Sequence, residues 1–224
     1  AIAIVMFVLV LRIRRERRDL FVLALVIGLG IPAQGVIGGL SVLTNLNPYV
    51  VGLHFVLSVV LVVLSSVLVY RVYAGPRGVR ASVPLWYSAL THATSALVAI
   101  TILVGIITTG SGPHAGDSGA SRNGLDSELL QHVHSWPAYA TVAATVLLLI
   151  GALRLEQPRL ARFTGILLAI EAVQVAVGLA QARLGLPEIL VGAHMVLACC
   201  LAAAMTAVVL SLREPVASAV DAEK

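Results

Sequence analysis

The chain has 224 residues, of which 59% are hydrophobic and 12% are charged, and its mean hydropathy is +0.98. A soluble domain carries about twice that charged fraction, so the composition excludes an ordinary water-soluble protein. The net charge of +4 does not indicate nucleic-acid binding, because the basic residues are grouped between long apolar segments.

The first apolar segment, AIAIVMFVLVL at 1–11, is too short to cross a bilayer as a helix. At a rise of about 1.5 Å per residue it covers about 16 Å, roughly half of the hydrocarbon thickness. It lacks the charged start of a signal peptide, and no initiator Met precedes it. We expect Ala1 to lie inside a helix whose beginning is missing from this chain.

Six longer apolar segments follow, and each is long enough for a membrane-spanning helix. Their length and their lack of polar alternation argue against strands. The predicted fold class is therefore an all-α, polytopic membrane protein. The predicted spans are 19–43, 47–73, 84–110, 129–153, 160–182 and 187–212.

The basic residues predict how the chain is oriented in the membrane. Thirteen of the 15 lie in alternate loops or at the C-terminus, and only Arg122 and Arg183 lie on the other side. By the positive-inside rule, those loops and the C-terminus are cytoplasmic and the loop 110–128 is external. The thirteen are Arg12, Arg14, Arg15, Arg17, Arg18, Arg71, Arg77, Arg80, Arg154, Arg159, Arg162, Arg213 and Lys224.

Two segments, 34–54 and 174–194, are copies of one pattern, QGVIGGLSVLTNLNPYVVGLH and QVAVGLAQARLGLPEILVGAH. Both begin with glutamine and end with histidine, and they align without a gap, so the offset between equivalent positions is constant. Each contains part of a helix, a short external turn and part of a second helix, which predicts a parallel repeat of two helical bundles. The same offset places a histidine equivalent to His134 before Ala1, in the missing part of the first helix.

His54, His134 and His194 are predicted at one depth, about six or seven residues into their helices and roughly 10 Å below the outer surface. His134 and His194 belong to two helices of the same half that run in the same direction, so they can face each other. Two neutral imidazoles placed in this way suit bis-histidine haem ligation inside a helical bundle. A hydrogen bond to a neighbouring helix is the alternative, and zinc fits less well because no carboxylates or thiolates cluster there.

Glutamines and glycines in the two copies allow two interpretations each. Gln34 and Gln174 either line the haem pockets or join helices by hydrogen bonds. Gly52 and Gly192, two residues before His54 and His194, either hold a flat ring against the backbone or let helices pack closely.

Further polar residues inside the spans carry weaker predictions. Glu171 is either a functional carboxylate or a protonated, hydrogen-bonded side chain. We expect His132 to face the headgroups or a haem propionate, and His92 to be packed and hydrogen-bonded. Cys199 and Cys200 are expected to be small, buried packing residues.

Three sequences, NLNPYVVGLHFVLS at 45–58, TTGSGPHAGD at 108–117 and LPEILVGAHM at 186–195, resemble heme A synthase in its actinobacterial form. The likeness covers nearly all of 1–212, and GSGPHAGD is its most specific element. The resemblance implies eight transmembrane helices in two pseudo-symmetric four-helix bundles in a bacterial plasma membrane. The first helix and part of the second would be missing from this chain.

The resemblance also implies an activity, in which the C8 methyl group of haem O is oxidised to a formyl group to give haem A for terminal cytochrome oxidase. His134 and His194 match the axial ligands of a haem b cofactor, and His54 matches one ligand of the substrate haem. The second substrate ligand and a catalytic glutamate would fall before Ala1, and so would an external cysteine pair. The implied partners are haem O, haem A, membrane lipids, heme O synthase and cytochrome oxidase assembly factors.

The expected organisation follows from the spans and the resemblance. His114 and Arg183 lie at the level where haem propionates would emerge, although Arg183 is equally an ordinary interfacial residue. The expected parts are a partial N-terminal half-bundle at 1–74, a cytoplasmic linker at 75–83, a C-terminal bundle at 84–212 and a cytoplasmic tail at 213–224.

Two other classes of protein explain part of the pattern. A dihaem b-type electron-transfer subunit needs the same histidines, but it commonly has ligands near the inner leaflet too, where this sequence has no histidine pair. A transporter with parallel repeats usually contains a broken helix, and only the Gly-Ile-Pro sequence at 30–32 resembles one.

Overall fold

The structure is a computed structural model that describes residues 2–75, 83–112 and 119–213. These residues form seven α-helices, and six of them are long and apolar enough to cross a membrane. The prediction of an all-α, polytopic membrane protein is therefore confirmed. The helices are α1 (Ile2–Arg12), α2 (Arg18–Leu43), α3 (Pro48–Ala74), α4 (Leu85–Ser111), α5 (Ser127–Arg154), α6 (Pro158–Arg183) and α7 (Glu188–Leu210).

Each predicted span agrees with one of α2–α7 to within two residues at either end. Local sequence signals determine where several of these helices begin. The Asn47 side chain accepts a hydrogen bond from the first turn of α3, which begins with Pro48. The Asp126 carboxylate accepts hydrogen bonds from two backbone N–H groups at the start of α5. Pro32 lies inside α2, which is continuous, so the broken helix that a transporter would need is not found there.

The helices enclose two hydrophobic cores. Since α4 and α6 each pack on both α5 and α7, these four helices form a closed ring around the larger core. A smaller core lies among α1, α2 and α3. α3 connects the two parts because it also packs on α4 and α7.

The repeat seen in the sequence is also a repeat of backbone geometry. α2 and α6 have 26 residues each, and they begin and end at equivalent positions of the two copies. Leu46 and Leu186 have left-handed backbone conformations at equivalent points of the two turns, with φ of 55° and 61°. Their N–H groups donate to the carbonyls of Ser41 and Gln181, in both cases at 2.8 Å.

Candidate functional site

The rings of His134 on α5 and His194 on α7 meet inside the closed ring of helices. Their centroids are 6.2 Å apart and their planes are inclined by 72°. Two imidazoles on opposite sides of one metal ion, with bonds of about 2 Å, have centroids roughly 6 Å apart. The observed spacing therefore fits two histidines that bind the same metal ion. Within the described ranges no three His, Cys, Asp or Glu side chains group as a metal site, and the candidate is a two-histidine arrangement.

A glycine on a neighbouring helix lies against each interior histidine ring. A Cβ atom added to Gly105 of α4 would be 2.8 Å from Cε1 of His134, and one added to Gly178 of α6 would be 3.0 Å from Cε1 of His194. In the N-terminal half, the corresponding distance from Gly38 to Cε1 of His54 is 3.3 Å. Nδ1 of all three histidines is buried and has no hydrogen-bond partner. Each ring is therefore held by shape against a helix backbone.

The two repeat glutamines bond to the histidine residues from the neighbouring helix. Gln174 Nε2 donates to the backbone carbonyl of His194 at 3.1 Å, and Gln34 Nε2 donates to that of His54 at 3.2 Å. Gln34 Nε2 also donates to Ser58 Oγ at 2.7 Å. Hydrogen bonding between helices is thus the interpretation that these contacts support for both glutamines.

Gly52 and Gly192 do not share one environment. Gly52 is buried, and a Cβ atom there would lie 2.7 Å from Cγ2 of Ile106, so this glycine lets α3 approach α4 closely. Gly192 is exposed, and a Cβ atom there would meet no atom within 4 Å. A role for either glycine against a haem remains a prediction.

Glu171 is a buried carboxyl in the C-terminal half, with 3% of its surface exposed. The Thr145 hydroxyl donates to its Oε1 at 2.8 Å, whereas its Oε2 is buried without a partner. The equivalent positions of the N-terminal half are occupied by Ile31 and Val5, so this polar pair has no counterpart there.

Several sequence expectations about polar side chains are corrected by the structure. His92 is exposed on α4 because the interior face of that helix carries Thr91 and Thr94, and the next residue after Thr91 is turned about 100° away. Cys200 is also exposed rather than buried, and Cys199 is half-buried. His132 and Arg183 are exposed, and their placement near the headgroups or the propionates stays a prediction. His114, the other residue expected near the propionates, lies outside the described residues.

Sequence reasoning missed Gly105, which makes the tightest of the three glycine–imidazole contacts. Its counterpart would precede residue 1, so comparison of the two copies could not identify it. The available signal was its place on α4, one turn after the buried Thr101 on the interior face. A second omission is Asn123, whose amide donates to the Ile107 carbonyl at 2.8 Å and ties the α4–α5 loop to the end of α4.

The fold and the site define a polytopic membrane protein that holds facing histidines within a ring of helices. The chain matches the model of the cytochrome oxidase assembly protein family, COX15-CtaA, over residues 1–206, and it belongs to this family of heme A synthases. The resemblance to heme A synthase is therefore confirmed, and with it a role in heme A biosynthesis for cytochrome oxidase. No curated protein and no solved structure matches the chain.

Proposed function

We propose that the protein oxidises the C8 methyl group of haem O to a formyl group and so produces haem A. The observation that carries this proposal is the His134–His194 pair, whose 6.2 Å spacing suits axial ligation, in a chain of the COX15-CtaA family. The product would be delivered to terminal cytochrome oxidase, with heme O synthase and assembly factors as partners.

In the C-terminal half, His134 and His194 would hold a haem b. Both rings lie against glycines, and Nδ1 of each ring is buried without a described hydrogen-bond partner. A haem bound there supplies one-electron redox chemistry to the reaction. The closed ring of α4–α7 continues below the site as an apolar core.

In the N-terminal half, His54 would bind the iron of the substrate haem. His54 has the same glycine and glutamine contacts as His194, at Gly38 and Gln34, which supports an equivalent haem-sized site. Two pseudo-symmetric four-helix bundles would result if further helices complete this half. Both sites would lie near the outer face of the plasma membrane, with the C-terminus in the cytoplasm, and the isoprenoid tail of the substrate would remain in lipid.

The proposal is tested by haem analysis of the purified protein and its histidine variants. Wild-type protein should contain haem B together with haem O or haem A, as measured by pyridine haemochrome spectra and chromatography. His194→Ala should lose haem B and retain the other haem, whereas His54→Ala should show the reverse pattern. His92→Ala is the control, because this exposed residue lies on α4 beside the interior face and should leave both haems in place.

Two results would contradict the proposal. If the protein and all its variants contain haem B alone, it is a dihaem electron-transfer subunit instead. If His194→Ala and His92→Ala bind the same haem with the same absorption spectrum, the ligand assignment is wrong.

A further inference from the structure

We propose that Gln34 and Gln174 are positioning residues, each of which fixes a haem-ligating histidine by bonding to that histidine's own backbone. The inference rests on the proposed ligation by His54 and His194. On this view the glutamines hold the histidines in place and do not contact the haem themselves.

The first observation is the choice of acceptor. Gln174 and Gln34 reach across to the carbonyls of His194 and His54 themselves, not to those of flanking residues. A helix carbonyl has two lone pairs, so it can accept this amide in addition to the N–H group of its own helix. The bond therefore fixes the height and the rotation of the residue that carries the imidazole.

The second observation is that the same two helices also meet at the ring. Gly178, one turn further along α6 from Gln174, contacts Cε1 of the His194 ring, and Nδ1 of that ring is buried without a hydrogen-bond partner. The ring is therefore positioned by shape. The bond from Gln174 to the His194 carbonyl is the polar contact that fixes the residue carrying it.

The third observation is that the two halves retain this arrangement while their sequences differ. Only six of the aligned positions in 34–54 and 174–194 are identical. Three of those six are the glutamine, the glycine against the ring and the histidine. An ordinary bond between helices could use many donors and acceptors, so its repetition at the ligand residue indicates a function tied to the ligand.

The two halves differ in how the amide itself is held. Ser58 accepts a second hydrogen bond from Gln34, whereas the equivalent position is Ala198. Gln34 is thus anchored at two points and Gln174 at one. Because the amide of Gln174 has a single described partner, we expect its removal to act on His194 alone.

The test compares Gln174→Leu with Gln181→Leu in the purified, haem-loaded protein. Gln181 lies on the same helix and makes no described side-chain hydrogen bond to a histidine, so it controls for the loss of an amide from α6. Gln174→Leu should shift the electron paramagnetic resonance g-values of the ferric haem and speed its transfer to apomyoglobin about 10–100-fold. Gln181→Leu should match wild type in both measurements.

A second variant keeps the test decisive if Gln174→Leu does not fold. Gln174→Asn retains an amide on a side chain too short for the 3.1 Å contact, and it should change the g-values and the transfer rate in the same directions as Gln174→Leu. Unchanged g-values and transfer rates in a folded Gln174 variant would overturn the inference but leave the proposed function standing. Wild-type protein that binds no haem would overturn both.

Discussion

Each interior histidine lies against a point on a helix where there is no side chain. Gly105 and Gly178 allow the imidazoles of the C-terminal half to approach the backbones of α4 and α6, and Gly38 does the same for His54. Small residues at such points let helices and rings come close without loss of packing. The position of each ring therefore depends on the absence of one methyl group.

Gly105→Ala should displace His134 and reduce haem B content, because the new Cβ atom would lie 2.8 Å from Cε1. Gly178→Ala, at 3.0 Å, should have a smaller effect on His194, and Gly38→Ala, at 3.3 Å, the smallest. Gly165→Ala is the control, since a Cβ atom there meets nothing within 4 Å, and it should stabilise the helix by up to about 1 kcal/mol. Haem content by pyridine haemochrome would contradict this order if Gly165→Ala lost as much haem as Gly105→Ala.

Thr145→Val should destabilise the protein by about 1 kcal/mol, because Oε1 of the buried Glu171 then loses its hydrogen-bond donor. Thr94→Val is a matched control, since Thr94 is equally buried but its hydroxyl bonds to a carbonyl of its own helix. Thermal unfolding in detergent measures the difference. In a Glu171→Leu background, Thr145→Val and Thr94→Val should lower the stability by the same amount. A difference in stability that persisted there would refute the explanation.

At the scale of helices and turns, the α2–α3 and α6–α7 connections have the same geometry but different residues at one left-handed position. Gly185 has a φ of 75°, and its counterpart Asn45 has a φ of 51°. Asparagine and glycine tolerate this conformation, whereas a β-branched residue does not. The turn depends on backbone conformation more than on one residue type.

Gly185→Val should therefore destabilise the α6–α7 turn by about 1–2 kcal/mol, and Gly185→Asn should be close to neutral because the other copy already carries Asn45. Thermal unfolding of both variants checks the expectation, with Gly165→Val as a control for valine in the same half. Equal losses for valine and asparagine at position 185 would contradict it.

The six spans and the repeat could be predicted because they depend on length, hydropathy and spacing. The inward side of each helix could not be predicted from hydropathy, since in a membrane both the lipid-facing side and the core are apolar. The sequence therefore predicts His92 and Cys200 in the interior, whereas both are exposed. The contacts of Gln34, Gln174 and Glu171 could not be predicted either, because they depend on how the neighbouring helices are placed.

At the scale of the whole molecule, Tyr70 joins the N-terminal helices to the ring of α4–α7 near the predicted cytoplasmic side. Its hydroxyl is 3.2 Å from Ser211 Oγ, and its ring lies 4.9 Å from the Arg159 guanidinium and 6.3 Å from the Phe163 ring. These contacts connect the end of α3 to the start of α6 and the end of α7. Together with the packing of α3 on α4 and α7, they fix the two halves relative to each other.

Tyr70→Phe should lower the free energy of unfolding by about 1 kcal/mol, because it removes the hydroxyl contact but keeps the ring and its interaction with Arg159. Tyr70→Ala removes the aromatic contacts too, and it should cost about 3 kcal/mol. Thermal unfolding in detergent separates the two, and a phenylalanine variant as unstable as the alanine variant would show that the ring contacts contribute little.

The fixed interval between each glutamine and its histidine makes the chain more sensitive to changes in length than to changes in composition. One extra residue between Gln174 and Gly178 would turn the rest of α6 by about 100°, and the glycine would face away from the imidazole. Insertions and deletions should therefore be tolerated least within the paired helices that carry these residues. A variant library that scored haem binding would show this as two intolerant blocks, one in each copy of the repeat.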